Sequence, residues 1–325
     1  MKAFIIGISG QDGSYLSQFL LSRGYEVFGG SRDPDTNNFE KICRLKIRDK
    51  VTIKSISLSD FRSVLQAIYE IKPDEIYNLG GQSSVGLSFE LPIETFESIT
   101  VGTLNILEAI RFLNQPIKFY NACSSECFGE LKGSPADEKT LFSPRSPYAV
   151  AKSAAYWQVS NYREAYGIFA CSGILFNHES PLRPERFVTQ KIIQAAKRIA
   201  AGKQNELYLG NMKIKRDWGW APEYVDAMWR MLQQSEPNDF VIGTGESHSL
   251  EAFTRIAFDM ANLDWKDHVI VNKNLFRPSD LQSSYCNPEK ALRKLKWKAR
   301  YKMKDVIKFM MDDELNPKQD RKVTI

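Results

Sequence analysis

The placement of the first glycines constrains this chain more than any other feature. Lys2 to Ile8 (K-A-F-I-I-G-I) reads as a short buried strand. Gly7-Ile8-Ser9-Gly10-Gln11-Asp12-Gly13 follows, then a helix-like run from Ser14 to Arg23 that stops at Gly24. A glycine-rich turn between strand and helix lets backbone amides approach a pyrophosphate at the positive end of the helix. The pattern is G-x-x-G-x-x-G, not G-x-G-x-x-G, and a tight turn with φ > 0 would by itself call for glycine. Its position between a strand and a capped helix is what points to a dinucleotide.

The alternation then continues. Tyr25 to Gly30 reads as a second strand and Val51 to Ile56 as a third. Ser59-Asp60 caps a helix running through Ile71, and Glu75 to Leu79 is a fourth strand. Thr103 to Phe112 is a helix and Ile117 to Ala122 a fifth strand. Strands alternating with helices to about Leu175 imply an α/β fold, a doubly wound parallel sheet with helices on both faces. Such sheets bind ligands beyond the carboxyl ends of their strands. An acidic residue there binds the ribose 2′-hydroxyl in NAD sites, but the second strand ends at Ser31-Arg32. Arginine suits a 2′-phosphate, so NADP is the expected cofactor.

Ser146 to Tyr166 reads as one helix of about five turns, with Ser146 as N-cap, Pro147 in the first turn and Gly167 as the stop. Tyr148 and Lys152 are four apart and share a face of its first turn. A cation near the phenol favours phenolate, which would lower the Tyr148 pKa and give a general acid/base. Tyr-x-x-x-Lys alone is a weak signal, because an exposed helix face produces it by chance. Two segments after strands should open onto the same crevice: Leu79 to Val85, with Gly80, Gly81, Gln82, Ser83 and Ser84, and Cys123 to Gly129, with Ser124 and Glu126. Ser124 can share a hydrogen bond with Tyr148, and Glu126 adds a carboxylate at that edge.

Beyond Leu175 the alternation loosens. Val188 to Ala201, Ala221 to Gln234, Glu251 to Leu263 and Asn287 to Leu295 read as helices and Phe240 to Gly245 as a strand before a turn. The expected division is a dinucleotide-binding unit over residues 1–175 and a substrate unit over 176–325, with 221–245 returning to the first. The tail after Pro317 is polar and expected to fray. Five scattered cysteines without C-x-x-C argue for free thiols in a reducing compartment, and the presence of only three histidines argues against a His-rich metal centre. The start runs straight into a strand, with no signal peptide expected, and no apolar run reaches the roughly 20 residues of a membrane span. A cytoplasmic enzyme is the resulting expectation. The net charge of +5 is concentrated late, in Lys290 to Lys304. There it interleaves with apolar helix positions, which favours a solvated face or a field for a polyanionic small substrate over nucleic-acid contact.

Together these residues resemble the extended short-chain dehydrogenase/reductase superfamily, and within it the GDP-mannose 4,6-dehydratases. The most specific runs are Gly7 to Leu16, Pro144 to Lys152, Gly173 to Pro181, Tyr208 to Met212 with Arg216 to Gly219, and Phe276-Arg277-Pro278. The resemblance implies a Rossmann-type domain with a smaller, mostly C-terminal substrate domain, and a homodimer or homotetramer. It implies oxidation of the sugar at C4, loss of water across C5–C6, and hydride return to C6. Tyr148 would take the 4-hydroxyl proton, Glu126 the C5 proton; Ser124 would polarise the C4 oxygen, and Lys152 would hold the nicotinamide ribose. The cofactor side would comprise Gly7, Ser9, Gly10, Gln11, Asp12, Gly13, Arg32, Ser57, Leu58, Leu79 to Ser83, His178 and Arg183. Ser84, Ser88, Asn177, Lys191, Arg216 and Arg277 would hold the GDP-sugar.

The departures from the family cluster near the ligands. Arg32 is followed by Asp33 instead of a second arginine, which leaves dimer and tetramer equally open. Ser57-Leu58 replaces Asp-Leu, Ser84 replaces histidine in Gln-Ser-His, and Glu94 stands where a cofactor-lining tyrosine is common. Thr-Ser-Glu-Leu-Tyr-Gly becomes Ser124-Ser125-Glu126-Cys127-Phe128-Gly129. Competing readings are a dehydratase, 4-reductase or epimerase for another nucleotide sugar, and a non-catalytic NADP-binding sensor.

Overall fold

The computed structural model describes residues 1–131 and 133–317. The tail beyond Pro317, expected to fray, lies outside the described residues. Among these, seven strands form one parallel sheet. In chain order they are β1 (Lys2–Ile6), β2 (Glu26–Ser31), β3 (Val51–Ser55), β4 (Glu75–Asn78), β5 (Lys118–Ser124), β6 (Ala170–Leu175) and an edge strand, Phe240–Ile242. Their spatial order is Phe240–Ile242, β6, β5, β4, β1, β2, β3. The order reverses between β1 and β4, and that switch point opens a crevice beyond their carboxyl ends.

Period-2 alternation explains how the sheet is covered. Ala3 and Ile5 of β1 face one side with Leu16, Leu20, Val225 and Met228. Phe4 and Ile6 face the other with Ile68, Ile106 and Phe119. Both faces are buried, as a parallel sheet requires. Each such Ile, Leu or Phe contributes about 1.5–3 kcal/mol by leaving water. Helices α1 (Gln11–Leu21), α2 (Phe61–Ile71), α3 (Gly102–Leu113) and α4 (Pro147–Tyr166) supply the layers. The caps match the sequence: Ser146 Oγ accepts from the Ala149 amide at 3.1 Å, and Gly167 closes α4 at φ +66°.

The second half of the chain divides its residues. Helix α5 (Val188–Ala200) packs with Leu250–Asp259 and Met303–Met311 around Trp218, Trp220, Phe253 and Phe258. Helix α6 (Ala221–Leu232) instead packs on α1, and Phe240–Ile242 hydrogen-bonds alongside β6. Two stretches differ from expectation. The expected Asn287 to Leu295 helix is present only from residue 289, widening at Ala291–Leu295 before it ends at Lys296 in the left-handed region. Short helices at Val85–Glu90 and Pro92–Phe96 and a wide turn at Glu97–Val101 precede α3. Pro92 breaks that run and hides its helical character from periodicity.

Candidate active site

The glycine turn is built by steric necessity. Gly7 has φ +86°, and a Cβ there would lie 2.8 Å from the Leu79 carbonyl. A Cβ on Gly13 would lie 2.4 Å from the Gly7 oxygen. Gly10 is the N-cap of α1, and its amide donates to Gly7 O at 3.0 Å. The first and fourth strands therefore approach closely enough to leave a cradle at the N-terminus of α1, the shape a diphosphate needs. Leu58 packs over Gly80, and Gly81 takes φ +106° beside Ile99. Gln82 spans the next turn: its amide nitrogen donates to Ser84 O at 2.8 Å and Thr95 Oγ1 at 3.1 Å, and its oxygen accepts from the Ser84 amide. Ser84 caps the following helix through the Leu87 amide. Ser88 is buried and donates to Val85 O at 2.7 Å, so its hydroxyl is already used within its own helix. At the far edge Ser57 and Ser59 hydroxyls lie 3.4 Å apart.

Ser9 and Asp12 carry interactions that motif spacing does not show. Lys41 Nζ donates to Ser9 O at 3.2 Å. Gln11 bonds Asp12 and the His178 carbonyl and accepts from Ser180 Oγ, which ties α1 to the segment after β6. His178 Nδ1 lies 2.7 Å from Phe176 O, and Nε2 lies 2.8 Å from Asp12 Oδ2. Both partners are acceptors, so both ring nitrogens carry protons. Burial opposes that charge, but Asp12 outweighs it and raises the His178 pKa. Burial likewise pushes Asp12 up, but His178 and Gln11 bring it below the ordinary carboxylate value.

The pair therefore stabilises the fold in a defined window. The raised histidine contributes fully below its unfolded pKa of about 6.5 and loses that contribution as pH rises through the folded value. The lowered carboxylate contributes above about 3.9 and fails as pH falls through its folded value. His178→Asn should accordingly cost most stability near mildly acidic pH and progressively less in alkali. Urea unfolding of both proteins across pH checks this; a pH-independent gap would contradict it.

A cavity of about 370 Å³ opens beside this lock, lined by Ser83, Ser124, Glu126, Tyr148, Lys152 and Asn177 among others. Ser124 ends β5, and its Oγ accepts from the Glu126 amide at 3.3 Å, so one short turn presents the hydroxyl and the carboxylate together. Tyr148 and Lys152 project from the first turn of α4 and are both buried. Lys152 Nζ donates to Ala122 O at 2.7 Å and lies 6.0 Å from the Tyr148 ring centre. The expected acidification of Tyr148 by Lys152 needs correction in this geometry. Burial dominates and pushes the Tyr148 phenol up, opposed by its hydrogen bond with Ser124. Burial also lowers the Lys152 pKa.

Cations ring the outer part of the cavity, which also includes Arg183, Lys191, Arg216 and Arg277. Arg216 is buried; Nη1 donates to Leu281 O at 2.8 Å, while Nη2 lies 3.6 Å from Asp280 and has no hydrogen-bond partner among the described residues. Burial depresses its pKa, and Glu126 and Asp280 oppose that. Arg277 lies 3.9 Å from Asp280, and Lys191 donates to Tyr208 O at 2.8 Å. Arg183 pairs with Glu179 at 3.1 Å and stacks on Phe187. Arg32 is exposed outside the cavity, 3.9 Å from Glu94. Sequence reasoning missed Lys41, and it missed that Glu94 meets Arg32; both follow from long-range folding that local spacing does not encode.

A glycine turn between strand and helix, Ser124 and Glu126 after β5, Tyr148 and Lys152 on α4 and an adjoining cationic cavity are the features of an extended short-chain dehydrogenase/reductase. A family model described as GDP-mannose 4,6 dehydratase matches residues 4–310. GDP-mannose 4,6 dehydratase 1 of Arabidopsis thaliana is 45% identical over 99% of this chain and 91% of its own length. GDP-mannose 4,6-dehydratase of Vibrio cholerae is 41% identical over 98% and 95%. The chain belongs to the GDP-mannose 4,6-dehydratase family. Among solved structures, UDP-glucose 4-epimerase of Thermus thermophilus in complex with NAD superposes with TM-score 0.85 at 27% identity, over 96% of this chain and 98% of that one. dTDP-glucose 4,6-dehydratase of Bacillus anthracis shares the fold, with TM-score 0.82 at 17% identity over 97% of each chain.

Proposed function

We propose that this enzyme converts GDP-mannose to GDP-4-keto-6-deoxymannose with NADP as the resident cofactor. The observation that carries the reading is the joint presentation of Ser124 and Glu126 beside Tyr148 and Lys152 in one cavity. A reaction that both oxidises and eliminates needs one base for O–H and one for C–H. The side-chain-free surfaces of Gly7, Gly10 and Gly13 fit a dinucleotide diphosphate, since an added Cβ at Gly7 or Gly13 would collide with backbone. When bound, the nicotinamide supplies the hydride chemistry, accepting from C4 and returning to C6.

The chain's own groups do the rest. Tyr148 Oη accepts the proton of the 4-hydroxyl, and Ser124 Oγ donates to the C4 oxygen and orients it. The C4 ketone acidifies C5–H. Glu126 removes that proton and passes it to the departing C6 hydroxyl, which leaves as water; when hydride adds to C6, C5 takes up a proton and Tyr148 gives up the one it accepted, which closes the cycle. Lys152 holds the nicotinamide ribose, and the Ser124 hydroxyl opposes the effect of burial on the Tyr148 phenol. Arg216 Nη2, which makes no hydrogen bond among the described residues, supplies with Arg277 and Lys191 charge-assisted donors for the GDP diphosphate, and Asn177 contributes a polar contact. Residues 1–175 with 221–245 serve the cofactor and 176–325 the nucleotide sugar. Exposed Ile93, Phe96, Val150 and Trp157 support assembly as a homodimer or homotetramer. Among the described residues no helix is long and apolar enough to cross a membrane, and a cytoplasmic setting fits five free thiols.

Incubating the enzyme separately with GDP-mannose, UDP-glucose and dTDP-glucose tests the substrate. Loss of one water from GDP-mannose alone is expected; dehydration of another sugar in its place would overturn the assignment.

Arg32 tests the cofactor. A charge-assisted contact to the 2′-phosphate is worth about 1.5–3 kcal/mol, so Arg32→Ala should reduce the preference for NADP over NAD roughly 10- to 100-fold. Glu94→Gln should move it the other way by freeing Arg32. Binding titrations with both dinucleotides decide, and an unchanged ratio would assign the 2′-phosphate to another group.

A further inference from the structure

Two thiols flank the pair of residues that the reaction places closest to the sugar. Cys123 and Cys127 sit on either side of Ser124 and Glu126, and their sulfurs lie 3.6 Å apart. Each thiol is also fixed to α4. Cys123 Sγ donates to Lys152 O at 3.9 Å and Cys127 Sγ to Ala149 O at 3.7 Å. Both are free and buried in one apolar cluster with Phe128, Ile174 and Phe176. Of the two, Cys123 reaches the wall of the active-site cavity. The remaining thiols, Cys43, Cys171 and Cys286, form no such pair among the described residues.

We infer that Cys123 and Cys127 form a dithiol oxidation site that a small hydroperoxide entering the cavity converts to a disulfide, switching off the dehydratase. This site stands on the sulfur geometry, and only its effect on turnover rests on the function proposed above. Burial opposes ionisation of both thiols, and it holds Cys123 up. Hydrogen bonds from Cys123 and Ser153 and the charge of Lys152 bring Cys127 below the ordinary thiol value. Cys123 lines the cavity and is the sulfur a peroxide meets first, with Cys127 3.6 Å behind it.

The chemistry balances with hydrogen peroxide alone. Cys123 Sγ attacks one peroxide oxygen, the O–O bond breaks, and the departing hydroxide takes the Cys123 thiol proton and leaves as water. The resulting sulfenic acid is attacked by Cys127. Its S–O bond breaks, the S–S bond forms, and the second hydroxide leaves as water with the Cys127 proton. Two thiols lose two electrons and two protons, and one peroxide becomes two waters.

Bond formation requires the sulfurs to close from 3.6 Å to about 2.05 Å. The segment that must contract carries Ser124 and Glu126, and both anchors to α4 are given up. Misplacement of about 1 Å in a catalytic group costs on the order of 100-fold in rate, so the oxidised enzyme should lose at least roughly tenfold of its turnover and regain it with dithiothreitol.

The experiment treats the reduced full-length enzyme with hydrogen peroxide. It follows intact mass, non-reducing peptide maps and GDP-mannose turnover together. Loss of two hydrogens, a Cys123–Cys127 linked peptide and dithiothreitol-reversible inactivation are expected. Cys127→Leu, which installs the residue of the family motif, should keep its turnover under the same peroxide; Cys127→Ala substitutes for it if leucine does not fold. Absence of the linked peptide while Cys43 oxidises would overturn the proposal, as would equal inactivation of the Cys127 variant. The peptide map reads the site without any turnover, so an incorrect substrate assignment would not be mistaken for a missing dithiol.

Discussion

Tyr148→Phe should lower kcat by about 10³- to 10⁴-fold, near the upper end of what a positioned general acid/base contributes. The substitution removes one oxygen and leaves the ring that packs on Ile99, Ala151 and Ala155. Volume-conserving changes of this kind cost less than about 1.5 kcal/mol. The fold therefore survives and the loss reports chemistry. Without Oη nothing accepts the C4 hydroxyl proton, so neither oxidation nor elimination proceeds. Initial rates with thermal denaturation on the same preparation check this; a variant retaining more than a tenth of wild-type turnover would remove Tyr148 from the mechanism.

Glu126→Gln should lower overall turnover by about 10²- to 10⁴-fold but leave the first half of the reaction running. The amide keeps the shape of the carboxylate and cannot accept the C5 proton. Reduced cofactor and 4-keto sugar should then accumulate in a single turnover, which wild-type enzyme does not allow and Tyr148→Phe cannot reach. Stopped-flow absorbance at the reduced nicotinamide band distinguishes the two variants. Glu126 is also one of the charges acting on the buried Arg216, so a modest change in GDP-mannose affinity accompanies the kinetic loss. Full dehydration by Glu126→Gln would place the C5 base elsewhere.

The sheet was legible because its signals are local. Buried runs such as Phe4-Ile5-Ile6, a glycine turn and capped helices each declare themselves within a few residues. Helix α4 needed only Ser146, Pro147 and Gly167. What remained hidden depends on distance in the chain or on solvent. Asp12 and His178 are separated by 166 positions, and nothing in either neighbourhood announces their pairing. Arg32 could be assigned to a phosphate from its place after β2, but its meeting with Glu94 arises from the folding of the Pro92–Phe96 helix onto that edge. Four-residue spacing put Lys152 beside Tyr148 correctly and misjudged the result, because a spacing argument contains the charge and omits the cost of burying the phenol. The cysteines read as scattered thiols; the tight turn at Ser125–Phe128 is what brings two of them together.

The most direct test of the central claim follows a label through the reaction. GDP-mannose carrying deuterium at C4 is incubated with the enzyme and a trace of unlabelled NADP⁺, and the product is analysed by mass spectrometry and NMR. Intramolecular hydride recycling predicts loss of one water, deuterium retained at C6 and no net consumption of cofactor. Unchanged GDP-mannose, or a product whose deuterium has passed into the cofactor pool, would contradict it.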